Sequence, residues 1–454
     1  MITVTLLELA NVLNAELIGQ DQRVSQATTD TRAIQSGDLF IALVGDRFDA
    51  HEFLHQAEEQ GAAAVVVNQA CASLSIPQLV VANTTKALGD LGAWVHQQCN
   101  TKTLAITGSC GKTTVKEMVA NILNYQGQVL YTAGNFNNDI GVPLTLLRTT
   151  PQDDFSVIEL GANHIGEIAY TTQLVKPSVA LVNNVAAAHL EGFGSIDGVK
   201  QAKGEIYQGL DVGDTAIVNL DSHGDAFWEQ TLQDKTIKTF SMSDDNADYY
   251  PSDIALAEDG SSHFTLNTPH SQFSVQLNIV GQHNIGNALA AAALSLEFGA
   301  TDEHIQKGLN QLGNVKGRVE VITLKRHIRL IDDSYNASVP AMLAAVDLLA
   351  NYTGRRWLVL GFMAELGSES HQLHKVVAEH AKQYNFEEVL TFGDDTQIIS
   401  ELCHGQHFHS HEKMLDYITQ TLNNDTSTRD TIIVKGANSA GMSQVASALK
   451  ETYS

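Results

Sequence analysis

The sequence predicts an α/β protein with three domains: a small α/β N-terminal domain, a central domain with a mostly parallel sheet and an antiparallel extension, and a C-terminal doubly wound domain. The 454 residues are enough for two to four domains. Apolar strand-like runs alternate with helical segments along most of the chain, as they do in parallel sheets. Over residues 247–280 apolar and polar residues alternate instead, which is typical of antiparallel strands.

The N-terminal domain is predicted at residues 1–83. It contains strand-like runs at 39–43 and 64–67, with a helical stretch at 53–59 between them. Gly61 lies where that helix should end. No group of catalytic residues is evident in this part of the sequence.

The central domain is predicted at residues 84–313 and the C-terminal domain at 314–454. In the central domain, strands are predicted at 104–106, 156–158, 179–182 and 216–218, and an Ala-rich helix at 288–298 ends at Gly299. The C-terminal domain has strands at 328–331, 357–360, 389–392 and 432–434, as in a Rossmann-like sheet. It lacks the Gly-x-Gly-x-x-Gly fingerprint, so no dinucleotide is predicted there.

Composition excludes several kinds of partner. The chain carries 27 Lys and Arg against 52 Asp and Glu, a net charge of −25, so it should repel nucleic acid and anionic membranes. No run of 18 apolar residues predicts a membrane helix, and the N-terminus lacks the basic and apolar regions of a secretory signal. Four cysteines show no paired spacing, which favours reduced thiols in a cytoplasm.

The most informative segment is a glycine-rich turn between the apolar run 104–106 and a predicted helix. Its residues are Gly108, Ser109, Cys110, Gly111, Lys112, Thr113 and Thr114. Backbone N–H groups and a helix N-terminus bind phosphate oxygens, a lysine adds positive charge, and the Thr113 hydroxyl suits a magnesium ion. Ile106 stands where the general P-loop has its first glycine, so a plain strand–turn–helix connection is the alternative interpretation.

Further polar residues follow predicted strands or lie on predicted helices, and each has a structural alternative. Glu159 ends a strand, where it could reach a magnesium ion or lie in solvent. His189 alone is more often a structural hydrogen-bonding residue than a ligand. Lys203 alone would be a solvated helix lysine.

Three more segments are candidates for ligand contacts. His283 and Asn287 are four residues apart on one helical face, and they could bind a base or cap the helix. Arg318 could reach a phosphate from another domain or be a linker charge. Asp332, Asp333, Ser334, Tyr335 and Asn336 end a strand, with a cap for the helix that begins near Pro340 as the alternative.

Four histidines lie close together near Cys403: His404, His407, His409 and His411. A zinc site is conceivable from this composition. We interpret the segment as a surface hairpin, because no second group of ligands is evident elsewhere in the sequence.

In this order, the motifs resemble those of the Mur ligases, ATP-dependent amide-forming enzymes of peptidoglycan synthesis, along the whole chain. The matching motifs are Thr107-Gly-x-x-Gly-Lys-Thr-Thr, Glu159-Leu-Gly-Ala, Asn183-Asn-Val through His189, Lys203-Gly-Glu, His283-Asn-Ile-Gly-Asn-Ala, Gly317-Arg318 and Asp332-Asp333-Ser-Tyr-Asn-Ala. The shifted glycine of the loop is itself the form that this family carries.

Three segments are similar to the member of the family that adds D-alanyl-D-alanine to UDP-N-acetylmuramoyl-tripeptide. They are Asp30-Thr-Arg with Asp38-Leu-Phe-Ile-Ala-Leu and Phe48-Asp-Ala-His, then Gly134-Asn-Phe-Asn-Asn-Asp-Ile-Gly-Val-Pro-Leu-Thr-Leu, then Asp333-Ser-Tyr-Asn-Ala with Met363-Ala-Glu-Leu-Gly. The Asp-Asn-Pro-Arg motif of the diaminopimelate-adding member is absent. Three positions depart from the family pattern: Phe362, Ser338 and the pair Ala437-Asn438.

The resemblance implies a P-loop ATPase-like central domain and a reaction. ATP would phosphorylate the tripeptide's terminal carboxylate, and the amine of D-alanyl-D-alanine would attack the acyl phosphate, releasing phosphate. Lys112 and the loop would hold ATP's phosphates. Thr113 and Glu159 would hold one Mg²⁺, and His189 and Lys203 a second, with Lys203 N-carbamoylated because an ammonium group cannot bind a cation.

The resemblance also assigns contacts with ATP and substrates. His283 and Asn287 would contact adenine, while Arg318, Asp333 and Tyr335 would approach ATP as the C-terminal domain closes. The remaining expected substrate-binding residues are Asp30, Thr31, Arg32 and Arg47 in the N-terminal domain, Asn135, Asn137 and Asn138 at the domain seam, and Asn336 in the C-terminal domain.

We expect a cytoplasmic monomer. The third residue of the stem peptide, diaminopimelate or lysine, stays open. A folylpolyglutamate synthetase-like ligase and a slowly hydrolysing P-loop switch are the rival interpretations. The Asp-Thr-Arg block argues against the first, and the additional residues Glu159, His189 and Lys203 argue against the second.

Overall fold

A computed structural model describes residues 1–45, 48–222, 224–257, 260–313, 317–325, 327–425 and 427–454. It confirms the predicted fold class, with a parallel central sheet and mixed or antiparallel sheets elsewhere. No helix in these ranges is long and apolar enough to cross a membrane.

The N-terminal part of the chain is built on a five-stranded sheet in the order β2-β9-β8-β5-β4. Its strands and helices are β1 (Val4–Thr5), α1 (Leu6–Leu13), β2 (Glu16–Ile18), β3 (Arg23–Val24), β4 (Ala27–Thr28), β5 (Leu39–Ile41), β6 (Val44–Gly45), β7 (Phe48–Asp49), α2 (Leu54–Glu59), β8 (Ala64–Val67) and β9 (Gln78–Val80). Every residue of β5 and β8 is buried, because the sheet is covered on both faces.

The central part is built on a six-stranded parallel sheet. Its elements are α3 (Thr84–Gln97), β10 (Lys102–Thr107), α4 (Lys112–Leu123), β11 (Val129–Tyr131), α5 (Gly141–Leu146), β12 (Phe155–Glu159), α6 (Glu167–Val175), β13 (Val179–Val182), α7 (Leu190–Phe193), α8 (Ile196–Gln208), β14 (Thr215–Asn219), α9 (Asp225–Leu232) and β15 (Thr236–Phe240).

The strand order of this sheet is β11-β12-β10-β13-β14-β15. The chain leaves β10 toward one side of the sheet and later returns to place β13 on the other side. Ligands of open parallel sheets bind beyond the carboxyl ends of the strands at such a reversal. The loop after β10, the end of β12 and the loop after β13 therefore converge on one place.

The expected antiparallel extension is a three-stranded sheet. It contains β16 (Tyr250–Leu256), β17 (Ser262–Asn267) and β18 (Gln272–Leu277), and it is followed by α10 (His283–Glu297) and α11 (Asp302–Asn310). The alanines of α10 are buried within the same core as β10 and α4. Their small side chains let this helix pack closely, so its first turn lies at the nucleotide loop.

The C-terminal part has a six-stranded sheet in the order β19-β20-β24-β21-β22-β23, parallel except for the edge strand β19. Its elements are β19 (Glu320–Thr323), β20 (Ile328–Asp333), α12 (Val339–Ala350), β21 (Arg355–Gly361), α13 (Ser370–Ala381), β22 (Glu388–Phe392), α14 (Gln397–Leu402), β23 (Gln406–Phe408), α15 (His411–Asn424), β24 (Asp430–Lys435) and α16 (Met442–Tyr453).

The predicted hairpin of the histidine segment is wrong. β23 pairs in parallel with β22 as the edge strand of the sheet, and α14 connects the two. Of the four histidines, only His407 lies in β23, while His411 is the first residue of α15. Gly405 precedes the strand and lies in the connection from α14, so it does not form a hairpin turn.

The two predicted limits between the three domains stay a prediction. None of the sheets crosses residue 83/84, but the apolar face of α3 packs into the N-terminal core with Leu88 and Leu91. The limit at 313/314 adjoins residues 314–316, which lie outside the described residues.

Candidate active site

The glycine-rich turn joins β10 to α4, and its shape depends on two glycines. Gly108 and Gly111 have φ values of 149° and 77°, which side chains disfavour. A Cβ on Gly111 would lie 2.5 Å from the side-chain amides of both Asn183 and Asn287. The loop therefore accepts only glycine at this position.

Residues that follow β13 hold the loop in place by hydrogen bonds. The backbone N–H of Cys110 donates to Asn184 Oδ1 at 2.8 Å, and Asn183 Nδ2 donates to the Cys110 carbonyl at 3.0 Å. The Ser109 hydroxyl donates to the Ala186 carbonyl and accepts from the Ala186 N–H. Asn183 and Asn184 appeared in a sequence motif without a role, and the structure supplies one.

Lys112 begins α4 and turns back over the loop. Its Nζ donates to the Gly108 carbonyl at 2.7 Å. Burial lowers the pKa of Lys112, and the nearby carboxylate of Glu159 opposes that shift. The ammonium group is thus held at the place where the phosphates of a nucleotide would lie.

Glu159 ends β12 beside the loop and is only 2% exposed. Its carboxylate accepts hydrogen bonds from the Thr113 hydroxyl at 2.9 Å and from Asn137 Nδ2 at 2.8 Å. Among the described residues it forms no ion pair within 4 Å. A buried carboxylate next to a threonine hydroxyl, with no described side-chain cation within 4 Å, is a donor set that fits Mg²⁺.

His189 precedes α7 in a left-handed conformation with φ of 53°. Its Nδ1 pairs with the carboxylate of Glu365 from the C-terminal part of the chain. Burial lowers the pKa of His189, while Glu365 raises it. Next to this pair, the Glu191 N–H donates to the Glu365 carbonyl at 3.1 Å.

Lys203 lies on α8 and is 1% exposed, so it is not the solvated lysine that its position alone would suggest. Its Nζ lies 5.2 Å from the centre of the Phe193 ring, on which His189 also packs. It forms no hydrogen bond or ion pair with any residue that the structure describes. Burial, with a smaller contribution from Lys112, lowers the pKa of Lys203 to about 7.

The neighbours of Lys203 have structural roles. A Cβ on Gly204 would lie 2.2 Å from the indole nitrogen of Trp228, so glycine lets α9 pack on α8. The carboxylate of Glu205 accepts hydrogen bonds from the N–H groups of Gly166 at 2.7 Å and Ala169 at 3.0 Å. Glu205 therefore caps the N-terminus of α6.

The C-terminal sheet supplies the opposite wall. The Arg318 guanidinium lies 4.2 Å from the centre of the Tyr335 ring, and the Tyr335 N–H donates to the Gly317 carbonyl. Asp333 pairs with Lys435 at 2.6 Å, and both are buried. Lys435 also donates to the Asn336 carbonyl at 3.1 Å.

Both walls enclose a cavity of about 760 Å³. The predicted residues that line it are Ser109, Cys110, Gly111, Lys112, Thr113, Thr114, Asn135, Asn137, Glu159, His189, His283, Asn287, Arg318, Asp333, Tyr335 and Asn336. Its size is in the range of nucleotide and drug-sized ligands. The structure thus brings together residues from strand ends more than 200 residues apart in the sequence.

Several predicted residues do not line this cavity. Gly108 and Lys203 are not among its lining residues. Neither is Asn138, whose Oδ1 accepts a hydrogen bond from the Gly141 N–H at the start of α5. Asn287 lines it, but its side chain already accepts from Asn183 and donates to Asn284. A base contact by Asn287 would add to, or replace, these bonds.

The N-terminal candidates lie apart from the cavity. Asp30 caps a short 3₁₀ turn, Thr31–Ala33, and pairs with the exposed Arg32 at 2.7 Å. Hydrogen bonds from Arg32 lower the pKa of Asp30 to about 2. Arg47 lies outside the described residues.

Sequence reasoning missed two residues of the site. Lys435 ends the apolar strand β24, and the rule that polar residues at strand ends belong to sites would have found it. Glu365 belongs to a quoted motif, but no local signal shows that it meets His189.

Of the three departures from the family pattern, two contribute to the cavity wall. Ser338, Ala437 and Asn438 all line it. Phe362 packs in the core of the C-terminal sheet, and its carbonyl accepts the Ala437 N–H at 2.8 Å.

Three family models match the chain. They are the Mur ligase family, catalytic domain, at residues 23–120, the Mur ligase middle domain at 106–295 and the Mur ligase, glutamate ligase domain at 317–438.

Similar proteins cover nearly the full length. The UDP-N-acetylmuramoyl-tripeptide–D-alanyl-D-alanine ligase of Escherichia coli (strain K12) is 48% identical over 452 residues, 99% of each chain. The ligase of that name in Bacillus subtilis (strain 168) is 33% identical over 93% of each chain.

Among solved structures, MurF from Acinetobacter baumannii has a TM-score of 0.93 at 34% identity, covering 98% of each chain. MurF from Thermotoga maritima in complex with ADP has a TM-score of 0.83 at 25% identity and covers 94% of this chain and 97% of that one. The phosphate loop, the acidic residue at the end of β12 and these relatives together show that the chain belongs to the Mur ligase family.

Proposed function

We propose that this chain is an ATP-dependent ligase that joins D-alanyl-D-alanine to UDP-N-acetylmuramoyl-tripeptide during peptidoglycan synthesis, releasing ADP and phosphate. The observation that carries the proposal is the two-walled cavity, in which the Lys112 loop, Glu159 and His189 face Arg318 and Asp333. The relatives with 48% and 33% identity bear the name of this reaction.

The reaction follows from what these residues hold. The loop N–H groups and Lys112 bind the β- and γ-phosphates, and Arg318 approaches from the opposite wall to balance negative charge. The γ-phosphoryl group passes to the tripeptide's terminal carboxylate, giving an acyl phosphate. The amine of D-alanyl-D-alanine attacks that carbonyl carbon and phosphate leaves. Such a transfer depends on positioning and charge neutralisation.

Thr113 and Glu159 would hold one Mg²⁺, which supplies charge neutralisation at the transferred phosphoryl group. His189 and Lys203 would hold a second. A pKa of about 7 leaves much of Lys203 as the uncharged amine at neutral pH. The uncharged amine is the form that reacts with carbon dioxide. The resulting carbamate is anionic and can bind a cation, which an ammonium group cannot do.

The substrates occupy the other parts of the molecule. Asp30, Thr31, Arg32 and Arg47 would hold the UDP end, and the asparagines near 135–138 would lie along the path to the cavity. Asn336 and its neighbours would position the dipeptide. His283 would meet the adenine ring at the first turn of α10.

The test is phosphate release from ATP by the purified protein, with the two substrates added singly and together. We expect release only when UDP-N-acetylmuramoyl-tripeptide and D-alanyl-D-alanine are both present. Lys112→Ala should lower the rate by at least ~10²-fold, as loss of a positioned transition-state charge does. Lys102→Ala, which removes an exposed lysine at the start of β10, should leave it unchanged.

Other outcomes would support the rivals. Equal release with free glutamate and a folate would indicate a folylpolyglutamate synthetase, whose Mycobacterium tuberculosis representative shares the fold at a TM-score of 0.65 and 14% identity. Slow release without either substrate would indicate a switch. Running the assay with diaminopimelate- and lysine-containing tripeptides identifies the third residue of the stem.

We also propose that the enzyme works as a cytoplasmic monomer. Light scattering on a size-exclusion column should give a mass near 49.1 kDa. A stable dimer mass would contradict this part of the proposal without affecting the reaction.

A further inference from the structure

A second group of ligand-forming side chains lies in the C-terminal sheet, outside the ligase cavity. His407 is in the edge strand β23, and His409 follows that strand. Asp394 follows the neighbouring strand β22, at the start of a 3₁₀ turn, Asp394–Thr396. Because β22 and β23 are parallel, their carboxyl ends bring these side chains to one edge.

The hydrogen bonding of His407 leaves one of its ring nitrogens available to a ligand. Its Nδ1 lies 2.9 Å from the hydroxyl oxygen of Thr391, its buried neighbour on β22. Its Nε2 is buried and has no hydrogen-bond partner in the described part of the chain. When Nδ1–H donates to Thr391, Nε2 keeps its lone pair. A buried nitrogen without a partner is costly unless a ligand completes it.

His409 and Asp394 lie beside the His407 ring. The ligand atoms of the three side chains lie within 4.8 Å of one another. The two imidazole rings are 4.9 Å apart at 80°, so they do not stack. In a filled tetrahedral zinc site the ligand atoms are about 3.4 Å apart. Asp394 and His409 are exposed, so their side chains are free to rotate toward an ion.

We propose that Asp394, His407 and His409 bind one Zn²⁺ ion, with the fourth position open to water. Two imidazole nitrogens and a carboxylate are the ligands that zinc prefers, whereas magnesium and calcium prefer oxygen alone. Thr391 is a positioning residue that orients His407. The ion ties the end of β22 to the edge strand β23.

The experiment measures zinc binding by untagged, full-length protein after removal of metals with a chelator. Zn²⁺ is titrated in competition with a chromophoric chelator, which gives both stoichiometry and affinity. His409→Asn should lose one equivalent of bound zinc or bind it at least tenfold more weakly. His404→Asn is the matched control, since it removes an exposed histidine of the same segment that is not in the group.

Zinc bound in the ligase cavity contributes equally to the His409→Asn and His404→Asn measurements, because neither substitution changes that cavity. Thr391→Val should weaken zinc binding about tenfold while all three ligands remain. Equal zinc stoichiometry and affinity in the wild type and His409→Asn would overturn the proposal. So would an equal loss in His404→Asn. Asp394→Asn, on an exposed turn, repeats the test at a second ligand.

Discussion

The environment of Lys203 is unusual for a lysine. The side chain is buried on α8 against the Phe193 ring, with no described carboxylate paired to it. Desolvation, helped by the charge of Lys112 and only partly opposed by Glu167 and Glu205, lowers the pKa of Lys203 to about 7, whereas an ordinary lysine stays fully protonated at neutral pH. The same burial excludes bulk water from the group that a carbamate would form on.

Lys203→Ala should reduce ligase activity by at least ~10²-fold, because the second cation loses its anionic ligand. Millimolar formate or acetate should restore part of the rate by supplying a carboxylate in the space that the side chain leaves. The readout is phosphate release with both substrates, with and without the acid.

Lys200→Ala is the control on the same helix, where the lysine pairs with Asp197 and is partly exposed. It should keep its activity and show no response to the acids. Absence of rescue in Lys203→Ala at any acid concentration would argue against a carbamate.

At the residue scale, the sequence predicted that Glu159 lies beside the phosphate loop, where its carboxylate accepts a hydrogen bond from the Thr113 hydroxyl. Glu159, His189 and Lys203 were singled out because each follows a strand or lies in a motif. The sequence could not show that Lys203 is buried, since one lysine among polar neighbours on a helix looks solvated. Burial depends on Phe193 and on helix packing elsewhere.

At the element scale, the cap of α6 explains why a glutamate follows Lys203-Gly204. Glu205 reaches across from α8 to the N-terminus of α6 and accepts two backbone hydrogen bonds there. A carboxylate at a helix N-terminus also interacts favourably with the helix dipole. The Lys203-Gly204-Glu205 motif therefore contains one candidate metal ligand, Lys203, and two residues that stabilise the packing or capping of helices.

Glu205→Ala should destabilise α6 by about 2 kcal/mol. Hydrogen exchange of the α6 amides should then be about 30-fold faster, since 1.4 kcal/mol corresponds to a factor of ten. The rate of phosphate release should change little.

Glu229→Ala, which removes an exposed glutamate on α9, should leave exchange in α6 unchanged. Loss of activity in Glu205→Ala with normal exchange would instead place this glutamate in the reaction.

The inner strands of the central and C-terminal sheets were predictable, because both of their faces are covered and they read as short apolar runs. The four edge strands, β11, β15, β19 and β23, were not predicted. β23 illustrates the reason. It has three residues with a glycine before it, and its partner β22 lies beyond a whole helix. A short polar edge strand carries too little local pattern to distinguish a parallel crossover from a hairpin.

At the scale of the whole molecule, the contact between His189 and Glu365 holds the two walls of the cavity in their observed arrangement. The residues are 176 positions apart. A single hydrogen bond of this kind contributes about 1 kcal/mol. That is enough to shift the ratio of closed to open molecules by about fivefold without preventing either state.

Glu365→Ala should therefore favour a more open arrangement. Small-angle scattering without ligands should show a larger radius of gyration than for the wild type, and the KM for ATP should rise about threefold. Glu369→Ala removes an exposed glutamate on the adjoining turn and should match the wild type. Identical scattering from all three proteins would contradict a role for this pair in closure.

Such long-range pairs set the limit of prediction from one sequence. Asp333 and Lys435 are 102 positions apart, and only the parallel pairing of β20 with β24 brings them together. Nothing near either residue in the sequence indicates its partner. The phosphate loop, in contrast, is one continuous segment and could be identified from the sequence.

The hydrogen bonds from Asn183 and Asn184 to the phosphate loop have a consequence for nucleotide affinity. A loop that is shaped by its own neighbours loses little further conformational entropy when a ligand arrives. More of the interaction with the phosphates then appears as binding free energy. Nucleotide binding should be fast and nearly rigid at the triphosphate end, so slow conformational steps belong to the movement of the C-terminal wall.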